Sequence, residues 1–138
     1  MPRIYYAHPM SWYDTKEEEA DVNELVNHGT VINPNSQMFK QAVEMARLRG
    51  SPVMQVFADY IKDCVDVVCF RRFNDGYIGA GVAREILEAA VWNKAIWEID
   101  RGGTLPPNVL KAMNEYNVGL YHFLSVEETT RRIKAKEM

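Results

Sequence analysis

Short apolar runs alternate with amphipathic stretches along the whole chain, the pattern expected of βα units that build a parallel sheet. Residues 3–7 form the first apolar run and predict a strand. Thr15 followed by Glu18 is a capping-box spacing, so an acidic helix is expected from there to about residue 28, stopped by Gly29. Residues 30–33 predict a short second strand, ended by Asn33-Pro34. Helical periodicity returns over 36–49, with Met38, Phe39, Ala42, Val43 and Ala46 sharing a face and Gly50 as the stop. A further helix is expected over 53–62, with Phe57 and Ile61 inward.

The run Val65-Asp66-Val67-Val68-Cys69-Phe70 is the strongest strand candidate, because a nearly continuous β-branched stretch suits a strand covered on both faces. A polar loop over 71–81 leads to a helix over about 82–93 and a strand over 95–99. A turn at Arg101-Gly102-Gly103, a helix entered through Pro106-Pro107 and a strand over 118–123 come next. A last helix starts at a second capping box, Ser125 with Glu128. The expectation is a single α/β domain spanning 1–138, a doubly wound, Rossmann-like (flavodoxin-like) open parallel sheet of about five strands with helices on both faces. Such sheets bind ligands at the carboxyl ends of their strands, near the reversal of strand order. Three loops are thereby selected: 8–14, 33–36 and 71–81.

Composition narrows the ligand. In 138 residues, 16 basic side chains face 19 acidic ones for a formal charge of -3, without the basic footprint of a nucleic-acid or anionic-membrane binder. A small molecule is the better partner. No run approaches a membrane span and the first residues lack signal-peptide character, so a cytoplasmic protein is expected. Cys64 and Cys69 have no CxxC spacing, and His8, His28 and His122 are far apart, so neither metal nor cofactor is implied. Free Cys at these positions reads as core.

The stretch Gly79-Ala80-Gly81-Val82-Ala83-Arg84-Glu85 lies at a strand-to-helix junction. It is not a dinucleotide fingerprint, since the third glycine is absent and the loop follows the third strand. At about 100° per residue, Glu85 falls at the margin of the buried face, beside Val82 and Ala89, while Arg84 and Glu88 face solvent. Burial would raise its pKa and a helix start would lower it. The pattern alone leaves two readings open, a helix-dipole partner and a reactive carboxylate.

Three segments taken together resemble the nucleoside 2-deoxyribosyltransferase family, including the related 2′-deoxynucleoside 5′-phosphate N-hydrolases. They are Ile4-Tyr5-Tyr6-Ala7-His8-Pro9, Val31-Ile32-Asn33-Pro34, and Gly79 to Ile86 running on to Asn93-Lys94, which keep the family's order from residue 3 to about 100. The resemblance implies that Glu85 is a nucleophile at the anomeric carbon of a nucleoside. It implies Gly79, Gly81 and Val82 as a close backbone approach to the sugar, and Pro9 and Asn33 as loop contacts. Tyr6, His8 and Tyr13 would line the opposite wall. An acidic residue before the third strand would manage the proton on the base, with Asp63 or Asp59 as candidates and Asp66 as a strand cap. A 5′-phosphate would need Ser11, or Arg71 and Arg72 from the next loop, which slightly favours a nucleoside over a nucleotide. The family's members are oligomers, so a homo-oligomer is expected. A non-catalytic nucleoside or nucleotide binder using the same crevice is the alternative.

Overall fold

The computed structural model describes residues 1–100 and 109–138. Strand β1 (Arg3–Ala7) is followed by a 3-10 turn at Met10–Trp12, helix α1 (Lys16–Leu25) and strand β2 (Thr30–Ile32). Helices α2 (Gln37–Leu48) and α3 (Val53–Cys64) then cross to strand β3 (Val67–Phe70). After β4 (Tyr77–Ile78) come α4 (Ala80–Val91), β5 (Ala95–Asp100), β6 (Val109–Met113), α5 (Glu115–Gly119), β7 (His122–Phe123) and α6 (Val126–Lys134). The main sheet has the order β2-β1-β3-β5-β6, parallel except for the antiparallel edge strand β6. Strand order reverses between β1 and β3, so the crevice of an open α/β sheet belongs at their carboxyl ends.

Alternation along β1 divides the core. Tyr5 and Ala7 join Ile32, Val68 and Phe70 under α2, α3 and α4, while Ile4 and Tyr6 join Leu25, Val67 and Cys69 under α1. All four residues of β3 are buried, as a central strand covered on both faces requires. Both predicted capping boxes form at their first leg: Thr15 accepts from the Glu18 N–H and Ser125 from the Glu128 N–H. Asp66 closes the start of β3 by accepting from the Arg3 N–H at 2.8 Å, and that bond holds its carboxyl below the usual range. Cys69 is buried and Cys64 half-buried, and both are free thiols.

The carboxyl-terminal third departs from the expected pattern. A strand, β6, stands where a helix was expected after Pro107, its residues pairing with β5 from Ile96↔Met113 to Asp100↔Val109. The predicted strand over 118–123 splits. Asn114 accepts from the Asn117 N–H and nucleates α5, which takes Val118 into the core as a helical residue. Only His122 and Phe123 remain extended, pairing in parallel with β4 in a separate two-stranded sheet. That pairing also puts a strand inside the predicted 71–81 loop. The turn at Arg101-Gly102-Gly103 and the helix start at Pro106-Pro107 lie outside the described residues. No helix among the described residues is long and apolar enough to cross a membrane.

Candidate functional site

A cavity of about 510 Å³ opens at the carboxyl end of β1, between α2 and α3 on one side and α6 on the other. Its floor is the head of α4. Gly79 precedes that helix with no side chain to cap it, and Thr129 of α6 substitutes, its Oγ1 accepting from the Ala80 N–H at 2.9 Å. A Cβ on Gly79 would stand 3.2 Å from Phe73 and 3.3 Å from Thr129, so any larger residue would push these side chains back by a few tenths of an ångström. Gly81, by contrast, faces open space. The N–H groups of Gly81 and Val82 meet no acceptor among the described residues and lie where the cavity is lined by their own residues.

Glu85 sits one turn further along α4 and lines the same cavity. Burial raises its carboxyl pKa to about 8, against a smaller lowering by the Tyr5 hydroxyl. Tyr5 is fully buried, and its hydroxyl interacts electrostatically with Glu85 without closing a hydrogen bond of standard geometry with any described residue. Desolvation, then the proximity of Glu85, holds the Tyr5 and Tyr13 hydroxyls in their neutral form well above the usual tyrosine range. Glu85 shares its surroundings with two neutral phenols and meets no cation among the described residues, so its carboxyl is poised to exchange its proton near neutrality. Among the described residues no group of three or more His, Cys, Asp and Glu is arranged to hold a metal ion.

Of the residues expected at the site, Glu85, His8, Pro9, Tyr13, Gly79, Gly81 and Val82 line this cavity together. The others do not. Tyr6 points to the opposite face of the sheet, where its hydroxyl donates to Asp21, so Tyr5 takes the place expected for it. Asn33 spends its side chain on an Asx turn, its Oδ1 accepting from the Asn35 N–H at 2.9 Å, and the adjacent Pro34 lines the cavity instead. Asp59 and Asp63 lie on the exposed face of α3, with Asp59 held by Gln55 at 2.7 Å, and neither reaches the cavity.

Glu44 of α2 is the only other carboxylate on the described lining. It was missed because Lys40, Glu44 and Arg47 repeat at helical spacing and read as a solvated stripe. They are solvated, and they form the rim. Neither Lys40 nor Arg47 has an ion-pair partner among the described residues, whereas Arg71 is buried against Asp21 and Arg72 pairs with Glu98 at 2.7 Å. The two loop arginines therefore supply no charge to the cavity.

The chain matches no family model and no curated protein.

Behind the cavity wall lies a second polar group. His8 Nδ1 meets the Tyr6 carbonyl at 2.9 Å and Nε2 meets Glu18 at 2.7 Å, with the ring stacked 3.8 Å from Tyr6. Glu18 also accepts from the Asp14 N–H and from Asn35 Nδ2. Burial alone would raise the Glu18 pKa, and these donors together lower it. This carboxylate ties the end of β1, the following loop and the β2–α2 loop together. The acidic helix α1 thus turns two of its carboxylates, Glu18 and Asp21, inward.

Proposed function

We propose that the cavity cleaves or transfers at the N-glycosidic bond of a (deoxy)nucleoside or nucleotide, with retention, through a covalent glycosyl ester on Glu85. The observation that carries this reading is a cavity-facing glutamate one turn into a helix that begins Gly79-Ala80-Gly81, next to a neutral buried tyrosine. In the first step an ionised Glu85 oxygen bonds to C1′ as the C1′–N bond breaks, and the base leaves with the bonding pair and takes up one proton. In the second, water or another base attacks C1′, loses its proton and releases the Glu85 carboxylate. The Gly81 and Val82 N–H groups, which meet no acceptor among the described residues, donate to sugar oxygens in this reading. Glu44 replaces Asp59 and Asp63 as the carboxyl that exchanges the proton of the base.

A raised pKa suits this cycle in one respect and costs it in another. A desolvated carboxylate is a stronger nucleophile and is stabilised by the positive charge that develops at C1′, but only its ionised fraction reacts. The residual reading is a pocket that binds a nucleoside derivative intact, for which a neutral Glu85 is a hydrogen-bond donor. Incubation with ribo- and deoxynucleosides and their 5′-monophosphates, with and without a second free base, separates the two. Released or exchanged base supports the enzyme. A ligand that raises the melting temperature and is recovered intact supports the binder, and the absence of both outcomes contradicts either reading.

A further inference from the structure

The lining of the cavity is not uniform. Thr129, Glu85, Tyr13, His8 and the free amides of α4 collect at the floor and on the β1 side, whereas the α2–α3 wall presents Phe39, Val43, Val53, Met54 and Phe57. None of these five side chains offers a hydrogen-bond donor, and the Met54 thioether is the only, weak acceptor among them. Phe39 is buried and stacks on Phe57, with ring centroids 5.5 Å apart and planes 14° from parallel, and it also meets Tyr5 edge-on. An aromatic path therefore runs from Glu85 through Tyr5 and Phe39 to the half-buried Phe57. The carboxylates expected on α3 to read a base edge, Asp59 and Asp63, point away from it, and the charged residues of α2 stay at the rim.

This wall constrains what leaves. An unsubstituted nucleobase carries donors and acceptors around most of its edge, and burying them against five apolar side chains would leave them unpaired. A group without polar atoms would meet no such penalty. The cavity of about 510 Å³ is also within the range that encloses ligands larger than a bare nucleoside. Resting on the N-glycoside reading above, we infer that the preferred substrate carries an apolar substituent on its base, seated between α2 and α3, while the polar edge of the base faces the Lys40–Glu44–Arg47 rim and solvent.

The test compares matched pairs on the Glu85→Gln protein, which holds ligand without turnover. The probes are N6-benzyl-2′-deoxyadenosine against 2′-deoxyadenosine, and N4-benzyl-2′-deoxycytidine against 2′-deoxycytidine, titrated by calorimetry. At least one benzylated member should bind about tenfold or more tightly than its parent, the scale of discrimination an apolar pocket provides. Val43→Thr, close in size but bearing a hydroxyl, and Phe57→Ala should each cut that ratio to below about threefold. Equal affinities within each pair, or a ratio untouched by both wall variants, would overturn the inference. Base release by the unmodified protein from the parent nucleosides, without preference for the benzylated ones, would overturn it while leaving the N-glycoside reading standing. Neither binding nor release with any of these probes or their 5′-monophosphates would remove both.

Discussion

The two faces of the sheet at the carboxyl end of β1 hold similar residues in opposite states of completion. Under α1, Tyr6 and Arg71 both donate to Asp21, Arg71 lies 5.0 Å from the Trp12 ring, and His8 and Asn35 converge on Glu18. Each carboxylate there has several donors. Under α4, Glu85 has one tyrosine hydroxyl that approaches without closing a standard hydrogen bond, and the Gly81 and Val82 amides meet no acceptor among the described residues. Aromatic and charged residues crowd both places. A cavity-lining carboxyl whose surroundings leave it underpartnered marks a site, while a fully paired cluster holds loops in place.

The paired face should give the largest effect. Replacing Arg71 with Met should leave the Asp21 charge buried without its guanidinium and cost about 3–5 kcal/mol, a large share of a domain's stability, read as a lower midpoint in urea unfolding. An unchanged midpoint would mean that the cluster is not structural.

The incomplete side should behave in the opposite sense, and its effect depends on pH. The folded-state pKa of Glu85 lies near 8, above its unfolded value, so the protonated form stabilises the fold fully below about pH 4.5. That contribution is lost as pH rises from there through 8. Glu85→Gln, which cannot ionise, should match the parent at pH 4.5 and exceed it by roughly 2–4 kcal/mol at pH 9. A variant less stable than the parent at pH 9 would contradict the assignment of burial as the dominant cause.

A smaller effect is expected from the neighbouring phenol. The Tyr5 hydroxyl lowers the Glu85 pKa against burial, so Tyr5→Phe should move the rising limb of the kcat/KM profile, centred near pH 8 in the parent, to higher pH. Coincident limbs would show that the two groups do not interact. The smallest effect belongs to α3: Asp59→Asn and Asp63→Asn should change base release by no more than about twofold, as for exposed side chains away from the cavity. A larger loss in either would restore the proton-managing role expected from the sequence.

Why some of this was legible and some was not follows from the residues themselves. Caps are local, so Thr15, Ser125 and the run that becomes β3 are readable directly, and the parallel sheet follows from their spacing. Glu85 is readable because helical periodicity places it beside Val82. Tyr5 and Tyr6 are not distinguishable, since every residue from Ile4 to Ala7 is buried and no polar position reveals which side faces α4. Thr129 and Ile133 belong to the cavity through a helix that packs about fifty residues away in sequence, a contact that no local pattern encodes. The edge strand β6 was hidden because Val109, Leu110 and Met113 suit a strand or a helix equally, and pairing with β5 decides between them.

The central claim is that the carboxyl of Glu85, left without a full set of partners, bonds to the anomeric carbon. Rapid acid quench of the protein with the nucleoside or monophosphate from which base is released, followed by intact-mass and peptide mass spectrometry, reads that bond directly. An added glycosyl mass is expected on the peptide containing Glu85 and is expected to be absent from Glu85→Gln. Undiminished base release by Glu85→Gln, or a glycosyl adduct on a different residue, would contradict it.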